Sequence, residues 1–452
     1  MPIIKNRREL LSHGSRDGRK VVLDVLESAI GAVSGHELVR QSVVIAGNSL
    51  RVGSLTFDLS KTGDLYVIGA GKGSLSIAKG LEEILGSRIK TGLVIEKRGQ
   101  GRKLKSIEVV EADHPIPDDD GVRATKKILD IADNAKTNDL VFVCVTGGCS
   151  ALMTIPADGL SLDDVRELTQ QVLMCGASLR DINTVRKHIS KVMGGRLAMR
   201  IHPAQTIGLI IVDEVEGRPW GPTVPDTTTF RDALHVLKKY NLLNVVPVSV
   251  RKHLEKAEPE QETPKLLDFQ RQKVKVHNWV LANSETLCEA AQERAKELGC
   301  NAMILSTALE GESREAGTML ACIAREVEEH MRPLHPPCVL IVGGETTVTI
   351  RGQHGEGGRN QEFALAASLK IEGSRKTVIA SVGTDGTDGP TDAAGAIADG
   401  YTAERAREMK TDVYENLAKH NSYHVFRQLE DAVFTRPTGT NVMDLRLAYV
   451  SV

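Results

Sequence analysis

Short apolar runs that end in glycine or an acid recur along the chain: LYVIGAG (65–71), GLVIEK (92–97), VFVCVTGG (141–148), IGLIIVDE (207–214), CVLIVGGE (338–345) and TVIASVGTDG (377–386). Runs rich in Val and Ile, without polar alternation, predict strands buried on both faces. Between them the period changes. Val165, Leu168 and Val172 share one face of a helix expected over 163–179, and Val185, Ile189 and Val192 share a face over 184–198. Alternating strands and helices predict an α/β protein with a Rossmann-like doubly wound parallel sheet and a second α/β domain. Such sheets take ligands beyond the carboxyl ends of their strands, which is where the glycines and acids fall. Residues 251–275 break the pattern: they are charged and carry Pro259 and Pro264, so an exposed connection is expected there. The expected domains are 1–250 and 276–452, unless the closing segment RLAYVSV returns to pair elsewhere.

The 452 residues suit two or three domains. A net charge of -2 gives no reason to expect nucleic acid or an anionic membrane as partner. Aromatics at 3% leave little for base stacking. The 7 cysteines form no CxxC pair, which argues for free thiols rather than a disulfide framework or a cysteine zinc site. The charged beginning does not read as a signal peptide, and no window approaches the length of a membrane-spanning helix. The expected location is cytoplasmic.

Five glycine-rich segments carry the candidate chemistry. VIGAGKGS (67–74) joins a strand to a helix. It is not a P-loop, because Tyr66 stands where that motif needs its first glycine. It is an imperfect dinucleotide fingerprint: Gly69 and Gly71 fit, Ser74 replaces the last glycine, and Glu96 closes the next strand where a ribose-binding acid would lie. Lys72 opposes the dipole of the helix it precedes by roughly 0.3–1 kcal/mol, which is tolerable where a bound anion sits at that helix start. TGGCSAL (146–152) follows the strongest strand. Gly147, Gly148 and Ser150 suit an anion nest, whereas Cys149 has no histidine at a spacing that would make it a nucleophile. In SLRDINTVRKHISKVMGGRLA (178–198), Asp181 or Asn183 is the expected helix cap, which places Arg186 and Lys187 in the first turn, again the wrong sign for the dipole. Two helix starts with unfavourable cations point to one shared polyanion; His188 reads as structural.

GGETTVTIRGQHGEGGRNQEFALA (343–366) frees the backbone just before Arg359, Asn360, Gln361 and Glu362, and an amphipathic helix is expected next. Arg359 offers a planar fork for phosphate or carboxylate, and Glu345 puts a charge at the end of a buried strand. GTDGTDGPTDAAGA (383–396) sets Asp385, Asp388 and Asp392 among glycines, oxygen ligands that suit Mg²⁺. Each segment also has a plainer reading, as tight turns, surface charge or Asx-turns. Taken together, cations, backbone donors and carboxylates without a covalent nucleophile fit phosphoryl transfer best.

The same segments, with HPIPD (114–118), GGRLA, GPTVPDTTTF, EGESREAG (310–317) and PTGTNVMDL, resemble the class II glycerate 2-kinases of the MOFRL type from about residue 65 to 445. The resemblance implies two α/β domains with the active site in the cleft between them. It implies ATP-dependent phosphorylation of D-glycerate at its 2-hydroxyl, giving 2-phosphoglycerate and ADP with Mg²⁺. Lys72 and Arg359 match the family's catalytic pair. Nucleotide contacts are expected from Gly69, Gly71, Gly147, Gly148, Ser150, Asn183, Arg186, Lys187, Gly344 and Asn360, and metal contacts from Glu345 and Asp385. The partners expected are the small molecules D-glycerate and ATP, with a homodimer as one assembly open to the chain. Three departures stand out: Thr146 and Cys149 in a loop that is usually Ser-Gly-Gly-Gly-Ser, where Cys149 adds bulk, residues 212–218 where the family usually reads Ser-Asp-Val ahead of Gly-Asp, and Trp220 where a serine is usual. The alternative is an NAD(P)H-dependent hydroxypyruvate reductase using the GAGKGS turn and Glu96. A third reading, an inactive binding protein, would need loss of Lys72 or Arg359, and both are present.

Overall fold

The structure is a computed structural model that describes residues 2–99, 103–214, 219–350 and 352–452. It contains two compact units. One runs from Ser34 to Glu214 and on to Leu281; the other joins the N-terminal segment through Val33 to Ala282–Val452. Among the described residues no helix is long and apolar enough to cross a membrane.

The first unit opens with a small antiparallel sheet of β1 (Val43–Ala46), β2 (Ser49–Val52) and β3 (Leu55–Asp58). Its main sheet holds β4 (Leu65–Ala70), β5 (Ile89–Lys97), β6 (Glu108–Ala112), β7 (Leu140–Val145), β8 (Gln205–Ile211) and β9 (Val276–Ala282) in the order β6-β5-β4-β7-β8-β9. The strands from β4 to β8 pair in parallel. Every residue of β4 and β7 is buried, as the unalternated runs predict. The strand order reverses between β4 and β7, so the crevice where such sheets hold ligands lies beyond those two strand ends.

Close packing dictates the glycines there. A Cβ at Gly69 would stand 2.1 Å from the Cys144 carbonyl oxygen, and one at Gly71 would stand 2.2 Å from Thr146 Oγ1. Gly71 also has φ +132°, open to glycine and strained for other residues. The helix Ser74–Leu85 begins at Gly73, which has no side chain to cap it. Thr146 Oγ1 accepts the Gly73 N–H at 3.0 Å, and Glu96 Oε2 accepts the Leu75 N–H at 3.1 Å. Burial pushes the Glu96 carboxyl up to about 7, against the pull of the Leu75 and Lys97 N–H groups and of Lys72.

Three expectations are corrected. Residues 251–275 are not an exposed connection: the helices Val248–Lys256 and Leu266–Gln272 bury Leu254 and Phe269 within the first unit. The helix containing Arg186 and Lys187 spans Leu179–His188 and is capped by Ser178, so these cations occupy its last turn. They complement the dipole there instead of opposing it. Residues 2–33 fold with the second unit. The Lys5 N–H donates to the Phe434 carbonyl at 2.7 Å, and the Arg436 N–H donates to that of Ile3 at 2.9 Å. Fully buried Arg19, on the helix Arg16–Ala32, pairs with Asp399 at 2.7 Å and Asp431 at 2.5 Å.

The second unit is a mixed sheet of β10 (Asn301–Leu309), β11 (Cys338–Gly344), β12 (Thr377–Gly383), β13 (Gly395–Asp399), β14 (Ala432–Val433) and β15 (Asp444–Val450), ordered β10-β11-β15-β12-β13-β14. The C-terminal strand β15 inserts between β11 and β12, antiparallel to both. Its first residue, Asp444, therefore lies opposite Gly344 and Gly383, the last residues of its neighbours.

Gly69→Ala should lower stability by about 1–3 kcal/mol, the range for an overpacked core, read from the shift of its urea unfolding curve; an unmoved curve would mean that β4 can shift away from β7 freely. Glu96 should make the protein less stable as pH rises. Its folded pKa lies above the unfolded value, so its contribution is full below about 4.5 and is lost by about 7. In Glu96→Gln the melting temperature should fall less across that interval than in the parent.

Candidate active site

In the first unit the site grows from the ends of β4 and β7. Lys72 is half-buried, and its backbone N–H donates to the Gly147 carbonyl at 2.8 Å, tying the two loops together. Gly148, with φ +87°, sits under the His114 ring: a Cβ there would stand 2.8 Å from His114 Cδ2 and 3.4 Å from Lys72 Cγ. His114 thus joins Lys72 around Gly148. It lies in the HPIPD segment just past β6, where no periodicity singles it out. Glu96, the acid of the dinucleotide reading, is spent on the start of the helix Ser74–Leu85. That removes the residue on which ribose recognition in a reductase would rest. The charge that Lys72 brings to this helix start is answered in part by Glu96 itself.

Next to this lies a second cation. Arg186 Nη1 donates to Ser150 Oγ at 3.2 Å, while its Nη2 is buried with no hydrogen-bond partner. Burial brings its guanidinium down to about 10, opposed by Asp213. Such a group favours a nearby anion. Lys187 and Asn183 are used differently. Lys187 pairs with buried Asp226 at 2.7 Å, and Asn183 donates to Glu214 Oε1 at 3.2 Å. Trp220, where a serine is usual, donates its indole N–H to Asp213 at 2.8 Å; residues 215–218 of that segment lie outside the described residues. Cys149 is fully buried in the core with Leu152 and Met153, and burial pushes its thiol up. It adds no bulk to the loop, and its protonated thiol is no nucleophile. His188 bonds the Thr184 carbonyl and Glu262, as a structural residue does.

In the second unit the site forms where β11, β12 and β15 meet. Arg359 opens the helix Arg359–Lys370, whose residues 360–368 are all buried, so the helix is central instead of amphipathic. The guanidinium is gripped side-on by Asp444, with Nε to Oδ2 at 2.7 Å and Nη2 to Oδ1 at 3.0 Å, and Nη1 reaches Glu345 at 2.5 Å. Its side chain remains 30% exposed. Asp388 serves as the missing helix cap. It accepts the Asn360 N–H at 3.0 Å and the Gln361 N–H at 2.9 Å, and burial raises its carboxyl to about 6. Asn360 is bound on both sides of its amide, by Asp388, Asp444 and Ser381, so it supports the site from behind. Gly344 passes close to Leu309, and its carbonyl accepts Arg446 Nη1 at 3.2 Å. Asp385 accepts the N–H and hydroxyl of Thr387, an Asx-turn, and its Oδ1 faces Asp444 across Gly383.

The expected residues thus form two separate groups, one in each unit. Asp444 and His114 are the additions that sequence reasoning missed; Gly69, Gly71, Asn183, Lys187, Gly344 and Asn360 are tied up in packing or internal bonds. Among the described residues no group of three or more His, Cys, Asp or Glu side chains is arranged to hold a metal ion. Asp444 is already committed through both oxygens to Arg359, Asn360 and Arg446. The two acids expected to meet Mg²⁺ have partners of their own: Glu345 pairs with Arg359, and Asp385 accepts from Thr387.

Two family models match the chain: a domain of unknown function, DUF4147, over residues 21–255, and the MOFRL family over residues 338–444. The chain is 42% identical to the glycerate 2-kinase of Pyrococcus horikoshii, over 96% of this chain and 98% of that one. It is 38% identical to the D-glycerate 2-kinase of Thermotoga maritima, over 96% and 98%. The crystal structure of glycerate kinase from Thermotoga maritima superposes with a TM-score of 0.77 at 38% identity, covering 95% of this chain and 99% of that one. Similarity over nearly the full length of these proteins, together with the Lys72 and Arg359 loops at two sets of strand ends, places the chain in the MOFRL-type glycerate 2-kinase family.

Proposed function

We propose that the protein transfers the γ-phosphoryl group of ATP to the 2-hydroxyl of D-glycerate, releasing ADP and 2-phosphoglycerate. The observation that carries this reading is the full-length similarity to glycerate 2-kinases, with Lys72 retained beyond the switch point of the first sheet. In the forming product, the glycerate C2 oxygen bonds to the γ-phosphorus as the bridging bond to the β-phosphate breaks. Lys72, packed beside Gly148, binds phosphoryl oxygens. Arg359 stabilises the charge that develops on them, with its plane fixed by Asp444. Glu345 or Asp385 orients the hydroxyl and accepts its proton. Mg²⁺, held by the other of these two acids together with nucleotide phosphates, would neutralise phosphate charge.

Arg186 suits the glycerate carboxylate better than the nucleotide. Its partnerless Nη2 and its hydrogen bond to Ser150 describe a cation lacking one anionic partner. A carboxylate gripped next to carbon 2 favours reaction at the adjacent hydroxyl.

Parallel assays test the activity. ADP release with D-glycerate and MgATP should be robust, and NADH oxidation with hydroxypyruvate should stay at background; the reverse outcome would establish the reductase. Lys72→Ala should lower kcat by about 10²–10³, the usual loss on removing one donor that stabilises transition-state charge, with an unchanged circular dichroism spectrum. Arg359→Lys should be nearly as damaging, because an ammonium cannot fill both oxygens of Asp444 in one plane. More than half the parent activity in either variant would exclude that residue from catalysis.

A further inference from the structure

Arg359 has a supporting apparatus beyond its contact with Asp444. Asp444 and Arg446 are two residues apart on β15, so both point to one face of the sheet. Both side chains are 0% exposed. Arg446 Nη2 donates to Asp444 Oδ2 at 2.9 Å and to Thr346 Oγ1 at 2.8 Å, and its Nη1 donates to the Gly344 carbonyl at 3.2 Å. Its guanidinium lies over the Phe363 ring, 5.1 Å from the centroid. One buried carboxylate is therefore shared by two arginines. One arginine is partly exposed at the strand ends; the other is sealed in the core, anchored to the loop after β11 and to the helix that Arg359 begins.

This arrangement answers an electrostatic problem. A guanidinium held side-on by one carboxylate and touched by a second, Glu345, is neutralised by them and presents little charge to a phosphoryl group. A second guanidinium on the same carboxylate draws off part of its negative charge. The geometry of the carboxylate stays, since its two oxygens still define the plane in which Arg359 is held, but its power to cancel Arg359 is reduced. A buried arginine is costly to desolvate, and a leucine or methionine would fill the same space over Phe363. Two acids, Glu345 and Asp444, face two arginines at this point; without Arg446, Arg359 would stand alone against both.

We infer that Asp444 and Arg446 form a positioning pair for Arg359, in which Asp444 fixes the plane of the guanidinium and Arg446 offsets the charge of Asp444 so that Arg359 stays electrophilic. The inference rests on the catalytic role of Arg359 set out above. Both residues of the pair are sealed from solvent behind Arg359. The pair acts through Arg359, so its contribution vanishes when Arg359 is absent.

A double-mutant cycle reads that dependence. Steady-state kcat and KM are measured for Asp444→Asn, Arg446→Met and Arg359→Ala, and for each of the first two combined with Arg359→Ala. Asp444→Asn turns one carboxylate oxygen into an N–H donor facing an arginine donor, and kcat should fall about 10²-fold, as a misplaced catalytic group costs. KM for both substrates should change little, because the lost interaction matters in the transition state. Arg446→Met should lower kcat about tenfold. In the Arg359→Ala background neither change should lower kcat by more than about twofold. Equal losses in both backgrounds would mean that the pair only supports the fold, and wild-type kcat in Arg446→Met would overturn the charge-offset argument. If Asp444→Asn does not fold, the Arg446→Met cycle, which keeps the carboxylate and its grip on Arg359, decides the matter alone. Wild-type kcat in Arg359→Ala by itself would instead refute the catalytic role of Arg359, separately from the pair.

Discussion

Asp444 carries its charge where water cannot reach it, and the second unit is arranged around that fact. A buried carboxylate is tolerated only with close cationic or N–H partners, and this one has four donors: two nitrogens of Arg359, the Asn360 amide and Arg446. Its position follows from topology. Because the C-terminal strand runs antiparallel between β11 and β12, its first residue falls at their carboxyl ends, and the helix begun by Arg359 is aimed at the same point. The loops after β11 and β12 then supply Glu345, Asp385 and Asp388. Removing the antiparallel insertion would leave the same loops without the acid that orders their arginine.

The first unit solves a related problem with backbone in place of charge. Its switch point demands that β4 and β7 and the loops that follow them pack tightly, and Gly69 and Gly71 permit this. Thr146 and Glu96 satisfy the first N–H groups of the following helix, so that helix start is only partly available to a ligand. Beside it Gly148, Lys72 and His114 come together, and Arg186 bonds Ser150. The two units thus offer different chemistry: an ammonium beside a glycine loop in one, a rigidly held guanidinium among acids in the other. Phosphoryl transfer uses both kinds of group.

Much of this was legible in the chain because it rests on local rules. The six apolar runs became β4, β5, β7, β8, β11 and β12, since burial on both faces leaves a continuous signature. Lys72 and Arg359 were legible from charge set beside glycines at strand ends. Where several local rules competed, reading failed. Ser178 caps the Arg186 helix one turn earlier than Asp181 or Asn183 would, which turned an apparent dipole conflict into a favourable one. The charged 251–275 stretch hid two short helices that turn Leu254 and Phe269 inward while leaving Leu266 and Leu267 exposed. Asp444 escaped notice because its importance comes from a strand order that no local period encodes. The pairing of residues 2–33 with the second unit is likewise a long-range contact, centred on Arg19 and the acids Asp399 and Asp431.

The central claim is that this chain phosphorylates D-glycerate at carbon 2, and the identity of the phosphorylated carbon tests it most directly. Phosphorus NMR of the product, recorded with proton coupling after incubation with D-glycerate and MgATP, distinguishes phosphate on a CH oxygen from phosphate on a CH₂ oxygen. The account predicts a doublet, from the single hydrogen on carbon 2. A triplet, from phosphate on carbon 3, would contradict it.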